Sequence, residues 1–158
     1  MKQTSDIGIE KKVASELADK LNILLANYSV FYQNVRGSHW NIKGEKFFTL
    51  HVKFEELYTD LQLKIDEVAE RILTLGHAPQ HNYSEYLKIS TVKETKEVND
   101  GNKSVKQIVD GLSVLIDLQR DLLKLSSEED DEGTNALMSD YIREQEKLIW
   151  MYNAFLGV

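Results

Sequence analysis

Apolar residues return every three or four positions over most of this chain, and the breaks in that rhythm divide it into four long helices. Val13, Leu17, Leu21, Leu24, Tyr28, Phe31 and Val35 mark one face of a helix over about 10–40. The polar, glycine-containing stretch 41–44 interrupts it. Phe54, Leu57, Leu61, Ile65, Val68, Ile72 and Leu75 then restart the pattern over 45–75, as far as Gly76. The least periodic region follows, from 76 to 102, with the single proline, Pro79, and a short helical turn expected around 84–87. Ser104, with Gln107 three residues later, has the form of a capping box. Behind it Val105, Ile108, Leu112, Leu115, Leu122 and Leu125 predict a helix over 104–125. The acidic run 126–132 and Gly133 break the pattern. Leu137, Tyr141, Leu148, Met151 and Phe155 define a last helix over 131–156, ending near Gly157.

Connection lengths restrict how these helices pack. Short links force neighbouring helices antiparallel, whereas a long one can return the chain along the bundle. Here the first and third links are short and the second is long. The expected fold is therefore all-α, a ferritin-like four-helix bundle with one long crossover carrying a short helix; a plain bundle with a loose insert is the alternative. The 158 residues form one expected domain, 1–158, large enough for a core of its own. With 42% hydrophobic and 28% charged residues the chain is too apolar to stay disordered. The lack of cysteine excludes disulfides, thiolate metal sites and cysteine nucleophiles, so any metal must take N or O ligands. No secretory leader and no membrane span is legible, and the expected location is the cytoplasm. A net charge of -7 opposes nonspecific contact with nucleic acid and suits a protein that handles cations.

Histidines and carboxylates are distributed to match. His39 stands near the end of the first helix. His51 and Glu55 form an i, i+4 pair early in the second, and Asp66 and Glu70 form another later on. At ~100° per residue, the four positions on the second helix share an arc of roughly 100°. Imidazole and carboxylate donors suit a divalent iron, manganese or zinc ion. One ion cannot use both pairs, because Glu55 and Asp66 lie ~16 Å apart at 1.5 Å per residue. A second copy packed antiparallel about a two-fold axis would bring one pair against the other, giving two equivalent sites per axis. The tight turn after the first helix would add His39 to the His51 end. A di-iron centre inside one bundle would instead call for Glu-x-x-His motifs. None is present: Arg36, Phe48, Thr74 and Ala78 precede His39, His51, His77 and His81 by three. His77 and His81 are read as surface loop residues.

The stretches Arg36-Gly-Ser-His-Trp-Asn-Ile-Lys-Gly, Phe47-Phe-Thr-Leu-His-Val-Lys-Phe-Glu-Glu-Leu-Tyr and Ile65-Asp-Glu-Val-Ala-Glu-Arg-Ile, with Glu146-Lys-Leu-Ile-Trp-Met in the last helix, resemble the Dps-like mini-ferritins. The resemblance runs from about Glu10 to the end. It implies a hollow dodecameric shell with ferroxidase sites at two-fold interfaces, holding one or two irons, with Zn or Mn as possible substitutes. Each site would use His39, His51 and Glu55 of one chain and Asp66 and Glu70 of its mate. The implied reaction oxidises Fe(II) to Fe(III), commonly with hydrogen peroxide and alternatively with dioxygen, and stores ferric mineral in the cavity. Trp40 would pack beside the site or intercept oxidising equivalents, and Arg36 would orient a ligand carboxylate or form a surface ion pair. Asp130 and Asp131 would line an entry pore. The chain departs from family members that bind DNA through a lysine-rich tail: Lys2 is the only basic residue before the first helix, so DNA binding is not expected. It also has Glu55 where many relatives carry aspartate.

Overall fold

The computed structural model describes residues 3–158. Its helices are α1 (Lys11–Asn41), α2 (Phe47–Thr74), the short α3 (Tyr83–Ile89), α4 (Gly101–Glu128) and α5 (Glu132–Leu156). This is the expected all-α bundle with a helix in its long crossover. Lys2 lies outside the described residues. Among those residues no helix is long and apolar enough to cross a membrane.

Each apolar line of the first two long helices becomes core. Leu17, Leu21, Leu24, Tyr28, Phe31 and Val35 of α1 are buried against Phe54, Leu61, Val68 and Ile72 of α2. Gly111 of α4 lets that helix approach α1, because a Cβ there would stand 2.5 Å from the Phe31 ring. Helix α2 stops at Gly76, whose φ of 84° is the left-handed conformation that lets its N–H reach Leu73 O and the next N–H reach Ile72 O.

Three asparagines on α1 hold the crossover down. Asn22 bonds Ala78 O and the N–H of Gln80, and Asn34 bonds Lys93 O and the N–H of Thr95. Between them buried Asn27 accepts the N–H groups of Thr91 and Val92 on one oxygen. These bonds satisfy backbone groups that would otherwise be stranded in a segment without helical partners. The crossover is therefore docked, which excludes the loose insert.

Two expectations need correction. Ser104 is not a helix cap: it is buried inside α4 and its hydroxyl donates to Val98 O, while Asp100 caps the helix by accepting the Lys103 N–H at 2.8 Å. The helix starts accordingly at Gly101. In α5 the inward line is Thr134, Met138, Tyr141, Gln145 and Tyr152, whereas Met151 is 36% exposed and Leu148 only half-buried. The hydropathy reading found Tyr141 and the flanking Leu137, Leu148 and Phe155, which pack against the core, but not Thr134 and Gln145, because these are polar. Gln145 donates to the Tyr28 hydroxyl at 2.6 Å, that hydroxyl donates to Gln119, and Gln119 donates back to Gln145 at 2.7 Å. The closed ring of three bonds joins α1, α4 and α5 and satisfies polar groups that would be costly to bury alone.

Burial pushes the Tyr28, Tyr141 and Tyr152 hydroxyls well above the ordinary tyrosine range. A raised folded-state value means that the unfolded chain loses these protons first, at about pH 10, so stability should fall as pH rises beyond that point. Tyrosinate absorbance from these rings should appear together with loss of the helical circular dichroism signal. Ionisation of all seven tyrosines with the helices intact would contradict this expectation.

Candidate metal centre

The short link 42–46 brings the end of α1 beside the start of α2, which places His39 against His51. Their rings stack with centroids 3.8 Å apart and planes 12° from parallel. Nδ1 of His39 lies 2.6 Å from the carbonyl oxygen of His51, and Nδ1 of His51 lies 2.7 Å from the carbonyl oxygen of His39. A carbonyl can only accept, so both Nδ1 atoms carry hydrogen and donate. In each neutral ring the remaining lone pair sits on Nε2. The His39 carbonyl is one of the last in α1, without an intrahelical partner, so the exchange also satisfies a helix end. Reciprocal bonds of this kind fix tautomer and ring orientation together, as metal-binding histidines require.

Aromatic rings hold the pair in place. Phe47 lies on the other face of His51 with centroids 4.8 Å apart, and Tyr58 meets His39 edge-on at 5.2 Å. Tyr32 in turn meets Tyr58 edge-on. His39 is only 7% exposed within the subunit.

Glu55 follows His51 by one turn of α2, and Asp66 and Glu70 lie further along the same outward face. All three are exposed. Among the described residues none of the three makes a side-chain hydrogen bond or ion pair, whereas Asp60, Glu144 and Asp131 are paired to Lys64 or Arg71. Nor, among those residues, does any group of three or more metal-ligating side chains converge within the one chain. The chain thus presents two separate groups on one face, with two oriented imidazoles and Glu55 in the first and two carboxylates in the second.

Several neighbouring residues differ from expectation. Arg36 orients no carboxylate in the subunit; its guanidinium lies 4.7 Å from the Trp40 ring centre and 5.3 Å from that of Tyr32, and it donates to Gln33. Trp40, expected to pack, is 55% exposed apart from this cation–π contact. Asp131 is committed inside the subunit. It caps α5 by accepting the Thr134 N–H, pairs with Arg71 at 2.7 Å and is 1% exposed, which removes it from any pore-lining role in this conformation. Asp130 lies beside it at the exposed turn with φ of 56°. His81 is exposed and His77 half-buried, both in the crossover.

Known proteins with this sequence pattern point one way. Residues 18–158 match the model of the ferritin-like domain. A protein of Haemophilus influenzae, named only as uncharacterized, is 56% identical over 98% of this chain and 96% of its own. The DNA protection during starvation protein of Porphyromonas gingivalis is 41% identical over 94% and 93% of the two chains. The crystal structure of the Dps protein from Vibrio cholerae O1, described as a member of a broad superfamily of ferritin-like diiron-carboxylate proteins, superposes with a TM-score of 0.96 at 59% identity, covering 99% and 98%. Helix layout, crossover and sequence therefore agree that this chain belongs to the Dps-like mini-ferritins of the ferritin-like family.

Proposed function

We propose that this chain is the subunit of a ferroxidase and iron store whose reaction sites form only where two copies meet. The observation that carries the reading is the reciprocal pairing of His39 and His51, which commits both Nδ1 atoms to backbone carbonyls and leaves Nε2 of each ring for a metal, one helical turn before Glu55 on α2. Fe(II) is a borderline acceptor that takes imidazole readily, and Fe(III) is harder and favours carboxylate oxygen. His39, His51 and Glu55 of one chain, with Asp66 and Glu70 of its two-fold mate, supply both kinds of donor. The ~16 Å separating Glu55 from Asp66 along one helix requires the second chain. A closed dodecameric shell is the assembly proposed around these axes.

With hydrogen peroxide as oxidant the overall change is 2 Fe2+ + H2O2 + 2 H2O giving 2 FeO(OH) + 4 H+. Each iron loses one electron, and the O–O bond of peroxide takes the pair, so hydroxyl radical is not released. The ferric product leaves as mineral into the cavity. Dioxygen taking the same electron pair would instead be reduced to peroxide, 2 Fe2+ + O2 + 4 H2O giving 2 FeO(OH) + H2O2 + 4 H+, and only peroxide as oxidant is carried on to water. Zn or Mn would occupy the same donors without this turnover. Protection then comes from removing iron and peroxide together, a reading favoured over coating of DNA by the net charge of -7.

Anaerobic Fe(II) mixed with the assembled protein and then treated with peroxide should give ferric absorbance faster than buffer. His51→Ala should slow the protein-dependent rate by about 100-fold, since it removes a ligand together with the bond that orients His39. Equal rates with wild-type protein and with buffer would sink the proposal.

A further inference from the structure

The inward line of α2 runs Leu57, Leu61, Lys64, Val68, at steps of four, three and four, so a lysine stands where helical spacing calls for an apolar residue. Its side chain is 4% exposed. The ammonium bridges α2 and α5: Nζ lies 2.8 and 2.7 Å from the two oxygens of Asp60 and 2.7 Å from Oε2 of Glu144. The Tyr141 ring, centred 5.0 Å away, covers another side. The two carboxylates are not buried with it, since their side chains are 44% and 48% exposed. Both line a groove of about 300 Å3 between the helices, together with Glu56.

Three oxygens directed at one point form half the shell of a hard cation. Calcium takes carboxylate oxygens at roughly 2.3–2.6 Å and accepts water in its other positions, so a contraction of a few tenths of an ångström would fit a metal to the seat of this ammonium. The carboxylates could not stay together with nothing between them, because like charges repel. An apolar residue at this position would serve the core as well, since well-packed apolar side chains replace buried ion pairs without loss of stability. What the lysine adds is charge. We infer that Lys64 is a tethered cation that occupies a latent metal site between α2 and α5 and keeps divalent iron out of it. As part of the chain, it competes at an effective concentration that dilution does not lower.

Exclusion has a chemical consequence wherever iron meets peroxide. A single Fe(II) has one electron to give, and the change is then Fe2+ + H2O2 giving Fe3+ + OH- + HO•. The O–O bond is cleaved without a second electron, and hydroxyl radical is released. Iron seated alone between Asp60 and Glu144 would therefore generate the species that paired electron transfer avoids. This protective consequence rests on the ferroxidase reading, in which iron and peroxide meet on the protein; the occupied site does not.

Terbium(III), a redox-inert hard cation whose emission is sensitised by nearby tyrosine, reads the site without turnover. In the assembled protein Lys64→Met should bind about one more Tb(III) per subunit than wild type, with emission excited through Tyr141. Adding Asp60→Asn and Glu144→Gln should return the count to the wild-type value. With Fe(II) and peroxide, spin-trapped hydroxyl radical should rise several-fold over wild type in Lys64→Met and fall back in the triple variant. Methionine approximates the length of lysine and leaves the carboxylates facing the groove, so the bundle should form; Lys64→Gln carries the same expectation with a different neutral side chain. If the variants fold by helical circular dichroism and native mass and neither gains terbium, Lys64 guards nothing. Extra terbium that survives the triple substitution lies elsewhere and would equally overturn the assignment. Failure of both variants to assemble would make Lys64 a tie between helices and would overturn it too. Terbium gain without more radical would retain the occupied site and reject its protective consequence. Terbium gain beside wild-type iron oxidation no faster than buffer would retain the site and reject the ferroxidase reading, whereas accelerated oxidation with no terbium gain would do the reverse.

Discussion

Shells assembled from two inactive variants should regain about a quarter of the wild-type ferroxidase rate when the variants are mixed equally, because a two-fold axis pairs unlike chains half of the time. One variant carries His51→Ala with Glu55→Ala, and the other Asp66→Asn with Glu70→Gln. Each alone should fall about 100-fold or more, as expected when two ligands leave a site together. In a mixed pair one site combines the intact histidine end of one chain with the intact carboxylate end of the other, and its companion site is doubly broken. Half of the pairs with one site in two restored leaves a quarter of all sites. The chains must be combined before assembly, by co-expression or joint refolding, and mixing confirmed by native mass. If each site lay within a single chain, every site would remain broken and mixed shells would stay as inactive as the parents. The experiment therefore separates a shared site from a private one without reference to how the rate is catalysed.

How far such features could be read before folding depends on what kind of signal each leaves. The inner line of α1 is unbroken Leu, Tyr, Phe and Val, so hydropathy alone located it. The inner line of α5 includes Thr134 and Gln145, which look like surface residues until Tyr28 and Gln119 are brought to them from other helices. The start of α4 was misplaced for a related reason. Asp100-Gly-Asn reads as a loop, yet its aspartate is the cap, while Ser104 spends its hydroxyl on the crossover. At the candidate centre, helical spacing was enough to put Glu55, Asp66 and Glu70 on one face. The reciprocal bonds of His39 and His51 were invisible, since their acceptors are backbone carbonyls that any residue possesses. Trp40 shows the converse: tryptophan is usually mostly buried, and this one is not buried by its own subunit.

Arg71→Ala should destabilise the subunit by about 3 kcal/mol, near the lower end of what breaking a buried ion pair costs. The lower end applies for two reasons. The arginine side chain retains 19% exposure, and Asp131 keeps its bond from the Thr134 N–H at 3.1 Å. What remains is severe nonetheless. Asp131 would lose its only ion-pair partner among the described residues at 1% exposure, with its second oxygen already lacking any hydrogen bond. Thr134 would lose the Arg71 Nε–H that reaches its hydroxyl at 2.9 Å. The guanidinium also fills the space beside Gly133, where a Cβ would stand 2.7 Å from it, so the α4–α5 turn is shaped around this side chain. Denaturant unfolding should register the loss in the midpoint with little change in slope. Pairing Arg71→Met with Asp131→Asn should recover most of it, because asparagine can still cap α5 and no charge is left buried. A loss below about 1 kcal/mol, or no recovery in the double variant, would show that the pair does not lock α2 to the turn. Glu70 is Arg71's neighbour but points about 100° away around the helix. Iron oxidation measured well below the unfolding midpoint should therefore survive the substitution, separating the face of α2 that holds the bundle together from the face proposed to hold iron.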